Sequence, residues 1–155
     1  MTDPTLKTQV SDEIKASLKA GDSLRVGALR MLLAAIQTKE VEGAAARELS
    51  DDEIRQVAAK EVKKRSESIE AFEAAGRTEL VERERAERDV LTPYAPPQVD
   101  DDALDALIDE AIAATGATSV QQMGAVMSAV MSRAAALGRV DGRLVQAKVR
   151  AKLSG

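Results

Sequence analysis

The sequence predicts an all-α fold, with an N-terminal four-helix subdomain over residues 1–91 and a C-terminal three-helix subdomain over residues 100–155. A proline-rich linker over residues 92–99 is expected to join them, because this segment holds three of the four prolines. Phe72 and Tyr94 are the only aromatic residues, so the core must be aliphatic, which suits packed helices. Apolar residues also recur at the three- and four-residue spacing of helices.

The first two helices are predicted from their caps and their apolar spacing. Asp3 is expected to cap the first helix, Pro4 to occupy its first position and Gly21 to end it. Asp22 or Ser23 is expected to cap the second. The apolar residues are Leu6, Val10, Ile14 and Leu18, then Leu24, Leu29, Met31, Leu32, Leu33, Ala35 and Ile36. The breadth of the second set places the second helix at the centre of the predicted bundle.

A capping box predicts the third helix, since Ser50 precedes Glu53 by three residues. This helix is expected to reach Ala75, where Gly76 stops it. Its predicted buried side consists of Ile54, Val57, Ala58, Val62, Ile69 and Phe72. A shorter, charged helix is predicted over residues 79–91.

The C-terminal part begins with Asp100 as a helix cap, and Gly116 is expected to end that helix. Ser119 opens the next helix, and the turn Gly138–Gly142 precedes the last one. The apolar residues of these three helices are Leu104, Leu107, Ile108, Ala111, Ile112, Val120, Met123, Val126, Met127, Val130, Met131, Leu144, Val145, Val149 and Leu153. A part of about 55 residues has a small core, so it is expected to need support from its neighbour or a partner.

The composition predicts a soluble cytoplasmic protein with no membrane span. No apolar run approaches the length of about 18 residues that crossing a bilayer needs. The polar start, Met1–Pro4, does not resemble a secretory signal, and the absence of cysteine excludes disulfides and thiolate metal sites.

Catalytic chemistry is largely missing from the sequence, which predicts no catalytic residues, no metal and no cofactor. The chain has no histidine and no cysteine, and it lacks nucleophile-elbow, Walker and dinucleotide-binding motifs. An enzyme that uses buried carboxylates remains an alternative, but it requires a pocket with at least two shielded acids. The run Asp100–Asp102 lacks the spacing of a calcium loop, and a helix cap explains it better.

Basic residues are concentrated at the C-terminal end of an acidic chain. Residues 133–155 carry six basic residues and one acidic residue, whereas the whole chain has a net charge of −4. Such a segment is a candidate anion-binding surface, with Arg139, Arg143, Lys148 and Arg150 as its phosphate-contacting residues. Asp141 is expected to cap the last helix and to occupy the amides that a phosphate would need.

A second candidate anion-binding group lies on the predicted third helix, where Lys60, Lys63, Lys64 and Arg65 fall within six residues. The first three share a helical face. The alternative favoured here is a solvated face with pairs such as Lys63 and Glu67. Three methionines at four-residue spacing, Met123, Met127 and Met131, are expected in the core, with an adaptable binding surface as the alternative.

Six segments in order resemble the YqeY-like proteins. They are Leu24–Ile36, Lys64–Arg77, Thr92–Gln98, Ala114–Ser119, Met123–Met127 and Gly138–Val145. That family is related to the C-terminal tail of the GatB polypeptide of the glutamine-dependent aspartyl/glutamyl-tRNA amidotransferase, a carbon–nitrogen ligase. The tail is helical and associated with tRNA contact, and the catalytic domains lie elsewhere in that enzyme.

The resemblance implies a non-catalytic, tRNA-binding accessory module. Shape and charge would recognise the RNA, since recognition of folded RNA does not require aromatic stacking. The runner-up is a module that docks on an amidotransferase, a synthetase or another protein partner. An apolar surface around the three methionines would favour that second function.

Overall fold

A computed structural model describes residues 5–155, and regular structure in that range is helical. The α-helices are α1 (Leu6–Ala20), α2 (Ser23–Glu40), α3 (Asp51–Ala74), α4 (Thr78–Leu91), α5 (Asp101–Thr115), α6 (Met123–Ala134) and α7 (Gly142–Ser154). Short 3₁₀-helices span Thr92–Tyr94 and Val120–Gln122. The all-α prediction is confirmed. None of the helices in residues 5–155 has the length and apolar character needed to cross a membrane.

The start of α1 differs from its predicted start. Asp3 and Pro4, the predicted cap and first helical residue, lie outside the described residues. Within them, the hydroxyl of Thr5 accepts a hydrogen bond from the backbone N–H of Thr8 at 3.2 Å and caps the helix. The N–H of Leu6 donates to the carboxylate of Asp51 at 3.0 Å, which ties α1 to the beginning of α3.

Contacts divide the chain into two compact units, one ending at Pro96 and the other running from Pro97 to Gly155. In the first unit α2 contacts α1, α3 and α4, as its broad apolar surface predicts. The fully buried residues of α2 are Ala28, Leu29, Leu32 and Ile36. Two other apolar residues predicted for this helix lie outside the core, since Met31 is 52% exposed and Leu24 is 36% exposed.

The proline-rich segment is more ordered than the predicted linker over residues 92–99. Thr92–Tyr94 forms a 3₁₀-helix, and Tyr94 and Ala95 are buried in the core of the first unit. Burial raises the pKa of the Tyr94 hydroxyl. Its ring is therefore not available for stacking on a nucleic-acid base. The assignment of 1–91 and 100–155 to separate subdomains stays a prediction.

The capping box at the start of α3 is present as predicted. The hydroxyl of Ser50 accepts from the N–H of Glu53 at 3.2 Å, and the Glu53 carboxylate accepts from the N–H of Ser50 at 3.2 Å. The guanidinium of Arg47 donates to the same carboxylate at 2.9 Å. The bond from Arg47, followed by that from Ser50, lowers the pKa of Glu53 from 4.5 to about 2.

This lowered pKa predicts a contribution to acid unfolding. The Glu53 carboxylate binds a proton more tightly in the unfolded chain than in the folded one. Its contribution to the free energy of unfolding is therefore present above pH 4.5 and is lost as the pH falls towards about 2. We expect Glu53→Gln to flatten the fall of the urea midpoint over that pH interval. Exposed Glu48 has no ion pair within the described residues, and Glu48→Gln serves as the control. Equal slopes for both variants and the parent would contradict the prediction.

The second unit is a three-helix arrangement with a continuous aliphatic core. That core is formed by Leu104, Ile108, Ala111, Ala117, Val126, Val130, Val145, Val149 and Leu153. Its entry segment is held by backbone bonds, since the N–H of Arg139 donates to the carbonyl of Pro97 at 3.0 Å and the N–H of Val99 donates to the carbonyl of Arg139 at 2.8 Å. Gly138 permits this approach with a φ of +151°.

Candidate nucleic-acid interface

The outward face of α7 carries two of the predicted phosphate-contacting residues. Val145, Val149 and Leu153 fill the buried face of this helix. Arg143 and Arg150 are exposed, and their seven-residue spacing places them on the same exposed flank of the helix, two turns apart. They are therefore separated along the helix axis by about 10 Å.

Lys148 does not share this outward face. Its ammonium group donates to the carboxylate of Asp105 at 3.0 Å and lies 4.0 Å from that of Asp101. The hydrogen bond to Asp105 raises the pKa of Lys148. Lys152 makes an equivalent pair with Asp109 at 2.6 Å. Two of the basic residues on α7 thus neutralise acidic residues of α5, which reduces the local excess of positive charge.

The turn before α7 serves mainly to position the helix. The carboxylate of Asp141 accepts from the N–H of Arg143 at 2.9 Å, so the predicted cap is confirmed and competes with a phosphate for the helix amides. Arg139 is half-buried, and its backbone bonds to Pro97 and Val99 fix it at the entry to the second unit. Its side chain has further interactions within the protein.

The lysines of α3 form the other predicted group. Lys60, Lys63 and Lys64 are all exposed. Lys64 lies 3.3 Å from the carboxylate of Glu61, whereas neither Lys60 nor Lys63 has an ion pair within residues 5–155. The expected pair of Lys63 with Glu67 is not formed. This group belongs to the first unit, and Arg139, Arg143, Lys148 and Arg150 belong to the second.

Arg65, grouped with these lysines in the sequence, is buried instead. Its side chain is 5% exposed, and Nη1 donates to Oε2 of Glu61 at 3.0 Å. Nε lies 3.5 Å from Oε2 of Glu87 and forms no hydrogen bond there. We refer to Glu61, Arg65 and Glu87 as the Arg65 cluster. The sequence could have predicted that Arg65 is buried, because Arg65 lies three residues after Val62 and four before Ile69, on the apolar side of α3.

The described acidic residues favour structural roles over acid–base catalysis. Glu40 is buried and accepts from the ammonium group of Lys7 at 2.8 Å, and that bond lowers the pKa of Glu40. Glu61 is equally shielded but faces Arg65. Asp100 caps α5 by accepting from the N–H of Ala103 at 2.8 Å. Among residues 5–155, no three acidic side chains are grouped closely enough to hold a metal ion.

The methionines of α6 are mostly part of the core, as predicted. Met123 and Met127 are half-buried and pack against the buried residues of the second unit. Met131 is 40% exposed. Two of the three methionines are therefore only partly accessible to a protein that would dock on them.

Comparisons with known proteins give the family and two curated relatives. The family model described as Yqey-like protein matches residues 7–153. A protein of Lachancea thermotolerans named "Altered inheritance of mitochondria protein 41, mitochondrial" is 33% identical over 82 residues, which are 53% of this chain and 43% of that protein. A protein of the same name from Pyrenophora tritici-repentis is 38% identical over 95 residues, 58% of this chain and 50% of that protein. The chain spans about half the length of these relatives.

The relatives' names contradict the predicted cytoplasmic location, since both are named as mitochondrial proteins. The prediction relied on the absence of cysteine and of an apolar signal. Neither property distinguishes the cytosol from an organelle, because mitochondrial transit segments are amphipathic and rich in arginine rather than apolar.

Proposed function

Because this chain belongs to the YqeY-like family, whose model matches residues 7–153, we propose that it is a non-catalytic accessory module that binds tRNA. The observation that supports RNA contact is the exposed flank of α7 on which Arg143 and Arg150 lie two turns apart. Arginines in this arrangement can contact successive phosphates through charge-assisted hydrogen bonds.

The lysine group on α3 supplies a second surface for the same class of ligand. Lys60 and Lys63 are exposed without ion pairs in the described part of the chain, so contact with phosphate would not break an internal pair. Aromatic stacking has no part in this proposal, because Tyr94 is buried and Phe72 is half-buried. Binding by shape and charge is therefore expected to depend strongly on salt.

The biochemical setting of the proposed module follows from the family resemblance. The related tail of the amidotransferase is associated with tRNA, which makes tRNA-dependent amidation, with glutamine as the nitrogen donor, the reaction that this module would assist. The names of the curated relatives state neither a ligand nor a reaction. Their contribution to the proposal is therefore limited to family membership.

We expect the Arg143→Glu/Arg150→Glu double variant to bind tRNA at least about tenfold more weakly, because it replaces two attractive phosphate contacts with repulsive ones. Fluorescence anisotropy of labelled tRNA, deacylated and aminoacylated, measures the affinity at several salt concentrations. Log affinity should fall linearly with log salt, and the slope should become shallower by about two in the variant.

Two further variants make this test specific. Lys19→Glu changes an exposed cation outside the proposed surfaces and should leave affinity nearly unchanged. Lys148→Gln should also have a small effect, since Asp105 already engages that ammonium group. If the parent does not bind tRNA at about 50 mM salt, where charge contacts are strong, the proposal of an RNA module is wrong.

A further inference from the structure

One face of α2 is uncharged and is only partly covered by the other helices of its own unit. Leu24, Gly27, Met31, Ala34 and Thr38 recur along it at intervals of three or four residues, and we refer to them as the α2 stripe. All five residues are exposed, with Met31 at 52%. The Thr38 hydroxyl donates to the carbonyl of Ala34 at 2.9 Å and is satisfied inside the helix. The α2 stripe therefore offers aliphatic and small groups with no unpaired polar side chain.

Gly27 is the least expected residue of the α2 stripe. Glycine destabilises a helix interior, and it is usually retained where another backbone approaches closely. A Cβ atom added to Gly27 would meet nothing within 4 Å, so packing inside the protein does not require glycine. The space above Gly27 is thus suited to the backbone of a helix from outside.

The border of the α2 stripe is positively charged. Met31 Sδ lies 3.4 Å from Nη2 of Arg65. The Arg65 cluster also holds the two neighbouring carboxylates, whose side chains are only 10% and 14% exposed. Lys64 pairs with the carboxylate of Glu61, and Arg83 pairs with that of Glu87. The side chains of both cations are 70% exposed. Exposed Arg30 lies on α2 itself and has no ion pair within the described residues.

An open cavity marks one end of this surface. It has a volume of about 370 Å³ and is lined by Ser23, Leu24, Gly27, Arg83 and Glu87. The cavity joins the small and apolar groups of α2 to the exposed guanidinium of Arg83. A side chain that fills it would meet the apolar groups of α2 on one side and the ion pair between Arg83 and Glu87 on the other.

We propose that the α2 stripe is the docking surface for a helix of another protein, whose contacting face combines small or aliphatic residues with acidic residues beside them. Aliphatic groups would cover Leu24 and Met31, a close backbone approach would use Gly27, and carboxylates would meet Arg30 and Arg83. This arrangement is helix-to-helix recognition with charge complementarity at its edges.

Two other occupants fit the surface less well. In a symmetric antiparallel pair of two copies, the α2 stripe would centre on Met31 and bring the two Arg30 side chains close together, which is unfavourable. RNA would find few donors on a face formed by Leu24, Gly27 and Met31. The charge pattern and the apolar centre together favour an acidic protein helix.

The test places a photo-crosslinking amino acid, p-benzoylphenylalanine, at position 31 of the full chain in cells of the source organism. We expect a covalent adduct with a protein, and sequencing of the crosslinked segment should give an amphipathic helix with acidic residues beside its apolar face. An adduct with a second copy of this chain, an adduct with RNA, or no adduct would each overturn the proposal.

Matched variants separate docking from general effects on folding. Gly27→Ala and Gly124→Ala each replace a helical glycine whose added Cβ meets nothing within 4 Å, so both should raise the thermal midpoint slightly. Only Gly27→Ala should reduce the adduct, by at least about threefold, because its methyl group blocks close approach. Arg30→Glu should reduce it about tenfold, whereas Lys15→Glu, on α1, should not. Unchanged adduct yield in Gly27→Ala and Arg30→Glu contradicts docking on the α2 stripe.

Discussion

Replacement of Arg65 by methionine is expected to destabilise the first unit by about 3–5 kcal/mol, because it removes the cation from a buried group of charges. Glu61 is 8% exposed and would keep only its pair with Lys64. Glu87 would keep only its pair with Arg83. Methionine matches the volume and length of the arginine stem, so lost packing is a minor part of the expected effect. Urea unfolding with the linear extrapolation gives the change in free energy.

The matched control for this prediction is Arg83→Met. Arg83 pairs with the same carboxylate of Glu87, but its side chain is 70% exposed, so its loss should cost less than about 1 kcal/mol. Adding Glu61→Gln to Arg65→Met should recover part of the lost stability, since a neutral amide is less costly to bury than an unpaired carboxylate. If Arg65→Met and Arg83→Met have the same small effect, the Arg65 cluster does not stabilise the fold as inferred.

Replacement of Gly138 by alanine is expected to cost the second unit about 3 kcal/mol or more. The φ of Gly138 is +151°, a conformation that residues with a side chain rarely adopt. A Cβ atom at this position would also overlap the carbonyl oxygen of Pro97, which is backbone and has little freedom to move. The backbone bonds between Arg139 and residues 97 and 99 should weaken as the segments separate.

Urea unfolding followed by far-UV circular dichroism measures this effect, and Gly142→Ala provides the control in the same turn. Gly142 begins α7 and an added Cβ would meet nothing within 4 Å, so its replacement should be neutral or slightly stabilising. Because the turn after Gly138 leads into α7, which carries Arg143 and Arg150, the alanine variant should weaken tRNA binding together with folding. A stable Gly138→Ala variant would show that the contact with Pro97 is not needed.

The helices could be predicted from the sequence because helix caps and apolar spacing are local properties. Ser50, Asp100 and Asp141 each cap the helix that was predicted to follow them. The sequence was not sufficient for the proline-rich segment, where Tyr94 and Ala95 enter the core. Proline predicts an interruption of a helix but not whether the interrupted chain packs against its neighbours.

The candidate sites were less predictable because charge counts do not report partners in space. Lys148 contributes to the basic end of the sequence, yet Asp105 lies 43 positions earlier and engages it. In the sequence Arg65 is one of four neighbouring cations, but the helical spacing of α3 places it on the buried side of the helix. In the same way, α1, α3 and α4 leave some apolar residues of α2 exposed. The sequence alone could not predict which ones, because this depends on how the helices pack.

The burial of Tyr94 gives the protein a built-in optical reporter. The chain has no tryptophan and a single tyrosine, so near-ultraviolet absorbance and intrinsic emission arise mainly from one ring in the core of the first unit. Circular dichroism, by contrast, registers the helices of both units. Comparing the two signals during one denaturant titration resolves whether the units melt in a single cooperative event or in sequence, without any label or engineered probe.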